Sequence, residues 1–154
     1  MRKTLTAAAV LVGLAIAAPI TAGTPPGAQH IRIEASGANT QTFVLTPMTS
    51  GRVQADTGAL TSCCWMTSHV VRGGERLDVN DPHLTFTGAH GTLRFRNRIE
   101  WVDLPDGWSI FTGTWKAVGG TGSYGSLSGS GRVAGITTAD GFTRVRLFGS
   151  LHPK

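Results

Sequence analysis

The chain has only two cysteines, Cys63 and Cys64, and they are adjacent. A single vicinal pair cannot form a disulfide framework, so the fold must rest on its buried core. Charge is also scarce. Only 15% of the residues are Asp, Glu, Lys or Arg, and the basic ones form no run interleaved with stacking aromatics. That pattern argues against a nucleic-acid partner. Helical periodicity is missing, because no window keeps an i, i+3, i+4 apolar repeat. The 21 glycines, with many Thr, Ser and Val, disfavour helix interiors. The five histidines, His30, His69, His83, His90 and His152, show no ligand spacing. No metal and no cofactor is therefore expected. No serine lies in a nucleophile elbow and no histidine has an evident acidic orienter, so a hydrolase triad gains no support.

Long apolar runs are absent but for one at the start. Arg2 and Lys3 precede the apolar stretch 7–18, "AAAVLVGLAIAA", and Ile20 and Ala22 suit a cleavage site. This is the three-part pattern of a secretory signal peptide over residues 1–22. The run falls short of the roughly 20 apolar residues of a spanning helix, so no stable membrane insertion is expected after cleavage. The expected product is secreted. Its net charge is two units below the +5 of the whole chain, because Arg2 and Lys3 leave with the leader. Residues 23–29, "GTPPGAQ", read as a flexible lead-in. Residues 30–154 read as one domain, long enough to fold without a staple.

Period-two alternation recurs through that domain. In "GTLRFRNRIEWVDL", Leu93, Phe95, Ile99 and Trp101 share one parity, and Arg94, Arg96, Arg98 and Glu100 share the other. A strand sends those sets to opposite faces. Asn97 alone breaks the apolar set, either as a bulge or water-bonded amide or as a polar group inside a cavity. "HIRIEAS" and "TFVLTPM" alternate likewise, with Pro47 marking an edge or a strand end. "SCCWMTSHVV" reads as one strand running to a hairpin at Gly73-Gly74, and "ERLDVN" returns from it to "DP". With "LTFTG", "GWSIFTGTWKAV", "LSGSGRVAGI" and "FTRVRLFGSL", this gives about eight or nine short strands in an antiparallel barrel or sandwich.

"GGTGSYG" at residues 119–125 contains G-x-G-x-x-G through Gly120, Gly122 and Gly125. A dinucleotide loop needs a helix after those glycines. Here Gly129, Gly131 and Gly135 follow, each costing a helix roughly 1 kcal/mol. The nucleotide reading fails. The longer segment "WKAVGGTGSYGSLSGSG" resembles the W-x-x-x-G-G-T-G-x-Y-x-x-x-x-G-x-G stretch of dirigent proteins and the allene oxide cyclase-like barrels. The wider run over residues 91–134 is similar to small secreted proteins of high-GC Gram-positive bacteria. The resemblance implies an all-β fold, an antiparallel eight-stranded (calycin-like) barrel with an apolar interior, often oligomeric. In this setting Gly119, Gly120 and Gly122 are expected to allow positive φ at a reversal, with Gly125 in the same turn. Tyr124 and Leu127 are expected to plug a barrel end. Gly129 and Gly131 leave room for sharp coiling or for Trp115. The resemblance carries over no catalytic residue.

Cys63 and Cys64 lie about one Cα step, 3.8 Å, apart, and an ordinary mutual disulfide spans roughly 4.4–6.8 Å. On a strand they would face opposite sides. They are left as structural thiols, a vicinal or interchain disulfide, or a metal or redox pair. Trp65, Trp101, Trp108 and Trp115, with Asn97, are candidates for lining a pocket in the barrel mouth, against core packing for the tryptophans. The leading function is a secreted barrel that binds a small apolar or aromatic ligand or serves as an extracellular interaction module. A cofactor-free isomerase or cyclase and a structural homo-oligomer at the cell surface are the alternatives. A cavity lined by Trp with an acid–base group points to the enzyme, a cavity without titratable groups to binding, and a filled barrel to structure.

Overall fold

The computed structural model describes residues 25–73 and 75–154. The leader, residues 23 and 24 of the lead-in, and Gly74 lie outside the described residues. The alternating segments become ten strands: β1 (Gln29–Gly37), β2 (Gln41–Pro47), β3 (Asp56–Cys63), β4 (Thr67–Arg72), β5 (Glu75–Asn80), β6 (His83–Gly88), β7 (Gly91–Asp103), β8 (Ser109–Gly120), β9 (Leu127–Thr137) and β10 (Thr143–Pro153). Eight of them form a closed antiparallel barrel in the order β7-β6-β3-β2-β1-β10-β9-β8, with β8 pairing back onto β7. Closure pairs the strand edges that an open sheet would leave bare.

Two long strands build the remainder. β3 and β4 lie along the partners β6 and β5, and β5 and β6 both pair with the same edge of β7. Each long strand breaks at the same level, at Cys64–Met66 on one and at Asp81-Pro82 on the other. Pro82 has no N–H to give a ladder. Its carbonyl accepts from the Asn97 amide at 2.9 Å, and the Asp81 amide donates to Met66 O at 3.0 Å. Beyond the break, β4 and β5 continue as a hairpin flap past the barrel rim. "SCCWMTSHVV", expected to run as one strand, is thus two strands with a kink between them. The Arg72 guanidinium, paired in a fork with the Glu100 carboxylate at 3.0 and 2.8 Å, ties the flap to β7.

The inward parity fills the barrel. Ile31, Ile33, Leu45, Leu93, Phe95, Leu147 and Leu151 are buried on it, and the arginines of β7 stand outside. Phe43, Phe86 and Phe95 pack edge-on at 5.3 Å centroid spacings, and Phe95 stacks on Trp115 at 4.3 Å. Trp115 fits because Gly131 faces it, since a Cβ there would lie 2.6 Å from the indole ring. Its indole N–H is shared between the carbonyls of Arg132 and Phe148, at 3.1 and 3.2 Å. The core thereby accepts a large ring without stranding its polar atom.

One end of the barrel is shut. After β8 the chain makes a single 3-10 turn at Gly122–Tyr124 and drops Tyr124 into the interior, where it is 2% exposed. Its hydroxyl donates to Asp56 Oδ2 at 2.7 Å. The Asp56 carboxylate also accepts from the amides of Thr57, Ala89 and His90, at 2.9, 3.0 and 3.2 Å. Nearby, Gln29 is 3% exposed, bonds Thr49 O and Val53 O through Nε2, and accepts the Val53 amide. β1 accordingly begins at Gln29, within the segment read as lead-in. The glycine expectation needs one correction. Among Gly119, Gly120, Gly122 and Gly125 only Gly122 has positive φ, at 57°. Gly119 and Gly120 are still in β8, and Gly125 is right-handed at φ −57°. Gly120 is small for a different reason, because a Cβ there would crowd the Tyr124 backbone at 2.8 Å. Gly129 lies in β9, where a Cβ would sit 2.9 Å from Leu151.

Candidate functional site

The other end of the barrel is open. The turns between β1 and β2, β7 and β8, and β9 and β10 gather there, together with the break at Cys64–Met66. Below them lies a cavity of about 190 Å³. Its floor and walls are Leu60, Leu84, Asn97, Ile99, Phe111, Val133 and Val145, and its rim carries Gln41, Ser62, Trp65, Trp101, Thr137 and Thr143. Larger hollows lie on the outside of the sheet, among ion pairs such as Arg146–Glu34 and Arg98–Asp81. They face solvent on the polar parity of the strands. The interior cavity has floor and walls that are apolar but for Asn97, and apolar enclosure is what holds a small ligand.

Its aromatic wall is built from β7, β8 and the break after β3. Trp101 stacks on Phe111 with centroids 4.9 Å apart and planes 4° from parallel. Phe111 lies against Gly135, where a Cβ would overlap its ring. Trp65, at the kink, stands edge-on to Trp101 at 6.4 Å and 86°. Trp101 is held at its polar end, because Nε1–H donates to Asp103 Oδ1 at 2.8 Å and the Ser109 hydroxyl donates to the same oxygen at 2.6 Å. The hydrogen bond from Ser109, then that from Trp101, keeps the Asp103 carboxyl below the usual aspartate range. An indole fixed this way presents a rigid flat face.

Asn97 is the polar group in the floor. Its residue is 2% exposed, and its Oδ1 has no hydrogen-bond partner. A buried acceptor left alone costs roughly 1–3 kcal/mol. Among the described residues no group that titrates near neutrality lines the cavity. The buried acid–phenol pair, Asp56 and Tyr124, belongs to the shut end.

The candidates from the sequence divide. Trp65, Trp101 and Asn97 come together at the cavity. Trp115 does not line it, being stacked in the core against Phe95. Trp108 also lies elsewhere, 38% exposed in the β7–β8 turn beside Ala139, Asp140 and Phe142. The turn is closed by the Leu104 amide donating to Trp108 O at 2.7 Å. Cys63 and Cys64 are free and exposed. They do not face opposite sides, since Cys64 is left-handed at φ 61°. Phe111 and Asp103 were not singled out in the sequence. Asp103 shares the parity of Trp101 two residues away, which was the available signal.

These features define a closed eight-stranded antiparallel barrel, shut at one end and open at the other onto an aromatic cavity with Asn97 in its floor. No protein-family model matches the chain, and no curated protein or solved structure matches it either.

Proposed function

We propose that the protein binds a small, flat, apolar molecule with one hydrogen-bond donor, of the size and chemistry of a phenol, in the open end of the barrel. The observation that carries this is Asn97, the one polar residue in an otherwise apolar floor, whose buried Oδ1 lacks a partner and would meet a ligand after a small rotation of the amide. A donor on the ligand would remove the cost of that acceptor, while the ring would lie among Trp65, Trp101 and Phe111. The volume sets the size, since a cavity of roughly 150 Å³ accepts benzene. Among the described residues the lining offers no acid or base for proton transfer, which favours binding over a cyclase or isomerase reading. The likeness of residues 115–131 to dirigent and allene oxide cyclase-like barrels supports an interior ligand. The leader pattern supports action outside the cell.

The test is a titration with phenol and with toluene, followed by tryptophan fluorescence and by NMR of the Asn97 side chain. Phenol is expected to bind more tightly than toluene by several-fold to roughly tenfold, the worth of one net hydrogen bond. Equal affinities, or no response to either at millimolar concentration, would refute the reading.

A further inference from the structure

Cys63 closes β3, and Cys64 opens the break that turns the chain into the flap. Both thiols are free and exposed. Among the described residues Cys64 is the only one other than glycine with positive φ. That conformation costs an L-residue roughly 1–2 kcal/mol. It also abolishes the extended geometry that sends successive side chains to opposite faces. The two side chains consequently lie on the same side of the chain, and the neighbouring Cys64 thiol pushes the Cys63 pKa up. The next residue is Trp65, which stands over the cavity mouth against Trp101.

We propose that Cys63 and Cys64 are a reversible dithiol site, whose oxidised product is a vicinal disulfide that locks the kink holding Trp65 over the mouth. The oxidant is a disulfide, either of a small thiol or of a thiol carrier. One cysteine thiolate attacks a sulfur of the oxidant, a mixed disulfide forms, and one thiol leaves. The neighbouring cysteine thiolate then attacks the protein-side sulfur of that mixed disulfide. The Cys63–Cys64 bond forms and the second thiol leaves. Two electrons pass to the oxidant, which takes up the two protons that the cysteines release. The ring spans a Cα separation of about 3.8 Å, shorter than disulfides favour, so it is strained and readily reduced. Easy reduction suits a switch better than a brace. The strand on either side is regular, so the ring changes little beyond residues 64–66. The use of the lock for ligand retention rests on the proposed function. The disulfide and the fixed kink do not.

The experiment starts from reduced protein, freed of reductant and incubated with oxidised glutathione. Intact mass is expected to fall by two hydrogens, with both cysteines closed to iodoacetamide and dithiothreitol restoring them. Cys63→Ser and Cys64→Ser should each retain a glutathione adduct instead, because the resolving thiol is gone. A persistent adduct on the unsubstituted protein, or a disulfide-linked dimer as the main product, would overturn the site. Amide hydrogen exchange reads the lock. Exchange across residues 64–66 should slow by roughly tenfold or more on oxidation, and an unchanged rate would overturn the lock. Both readouts are independent of ligand, so a failure to bind phenol strikes the proposed function and not this site.

Discussion

Replacing Asn97 by leucine separates stability from recognition. In the native barrel the Asn97 side chain is 2% exposed with its Oδ1 unpartnered. Removing that acceptor relieves a penalty of roughly 1–3 kcal/mol. Leucine is bulkier than asparagine, and the adjoining cavity of about 190 Å³ takes up the added methyl groups. The backbone bond from the Asn97 amide to Pro82 O does not depend on the side chain. Asn97→Leu is therefore expected to be more stable than the native protein by about 1–3 kcal/mol. For a domain of this size that raises Tm by roughly 3–10 °C. Urea unfolding measures the free energy and scanning calorimetry the Tm. The same variant should bind phenol no better than toluene. A gain in stability with lost discrimination would mark Asn97 as a group kept for a ligand at the expense of the fold. A loss of 1 kcal/mol or more, with the preference for phenol intact, would refute the reasoning. It would mean that the amide braces the strand break and that the donor is recognised elsewhere.

Tyr124→Phe removes the hydroxyl bonded to the Asp56 carboxylate and should cost about 1.5–3 kcal/mol in urea unfolding. Burial alone would push the Asp56 pKa up, but hydrogen bonds from the Tyr124 hydroxyl and the His90, Ala89 and Thr57 amides outweigh it and hold the carboxyl low. Asp56 thus contributes stability that is present above the unfolded value of about 3.9 and is lost as pH falls through the folded value. The acid limb of a stability–pH profile should flatten in Tyr124→Phe, and an unchanged limb would refute the linkage. Gly131→Ala drives a methyl group into the Trp115 indole and should cost roughly 1–3 kcal/mol with a change in near-ultraviolet circular dichroism. Asp103→Ala frees the Trp101 indole and should weaken phenol binding by roughly 3–10-fold through lost preorganisation. Calorimetric titration of that variant checks it, and native affinity would show that the clamp does not position the ring.

Parity along each strand is a local property, and it was legible. Leu93, Phe95, Ile99 and Trp101 point inward and the arginines between them point outward because a pleated chain alternates whatever it pairs with. The same logic reached Ile31, Ile33 and Ala35 in β1, while the glycines Gly129, Gly131 and Gly135 ruled out a helix after "GGTGSYG". Asn97 stood out because it was the polar exception to an apolar parity. Asp56 was also within reach, sharing the parity of Leu60, but nothing local names its partner Tyr124, which lies 68 residues on.

The tertiary structure decided the rest. Whether a tryptophan is core or rim depends on which strands meet. Trp115 faces Gly131, so it stacks inside, whereas Trp101 faces the open end and is clamped by Asp103 and Ser109. The strand break at Cys64–Met66 follows from pairing with a partner interrupted by Pro82, so "SCCWMTSHVV" by itself reads as continuous. Closure of β8 onto β7 is likewise a pairing between edges, and alternation alone cannot tell a barrel from a sandwich. The sequence by itself determined which face of each strand is apolar, because that needs only a period of two. The three-dimensional pairing alone determined which end is shut, where the cavity lies and which acceptor is left without a partner, because these depend on contacts between residues distant along the chain.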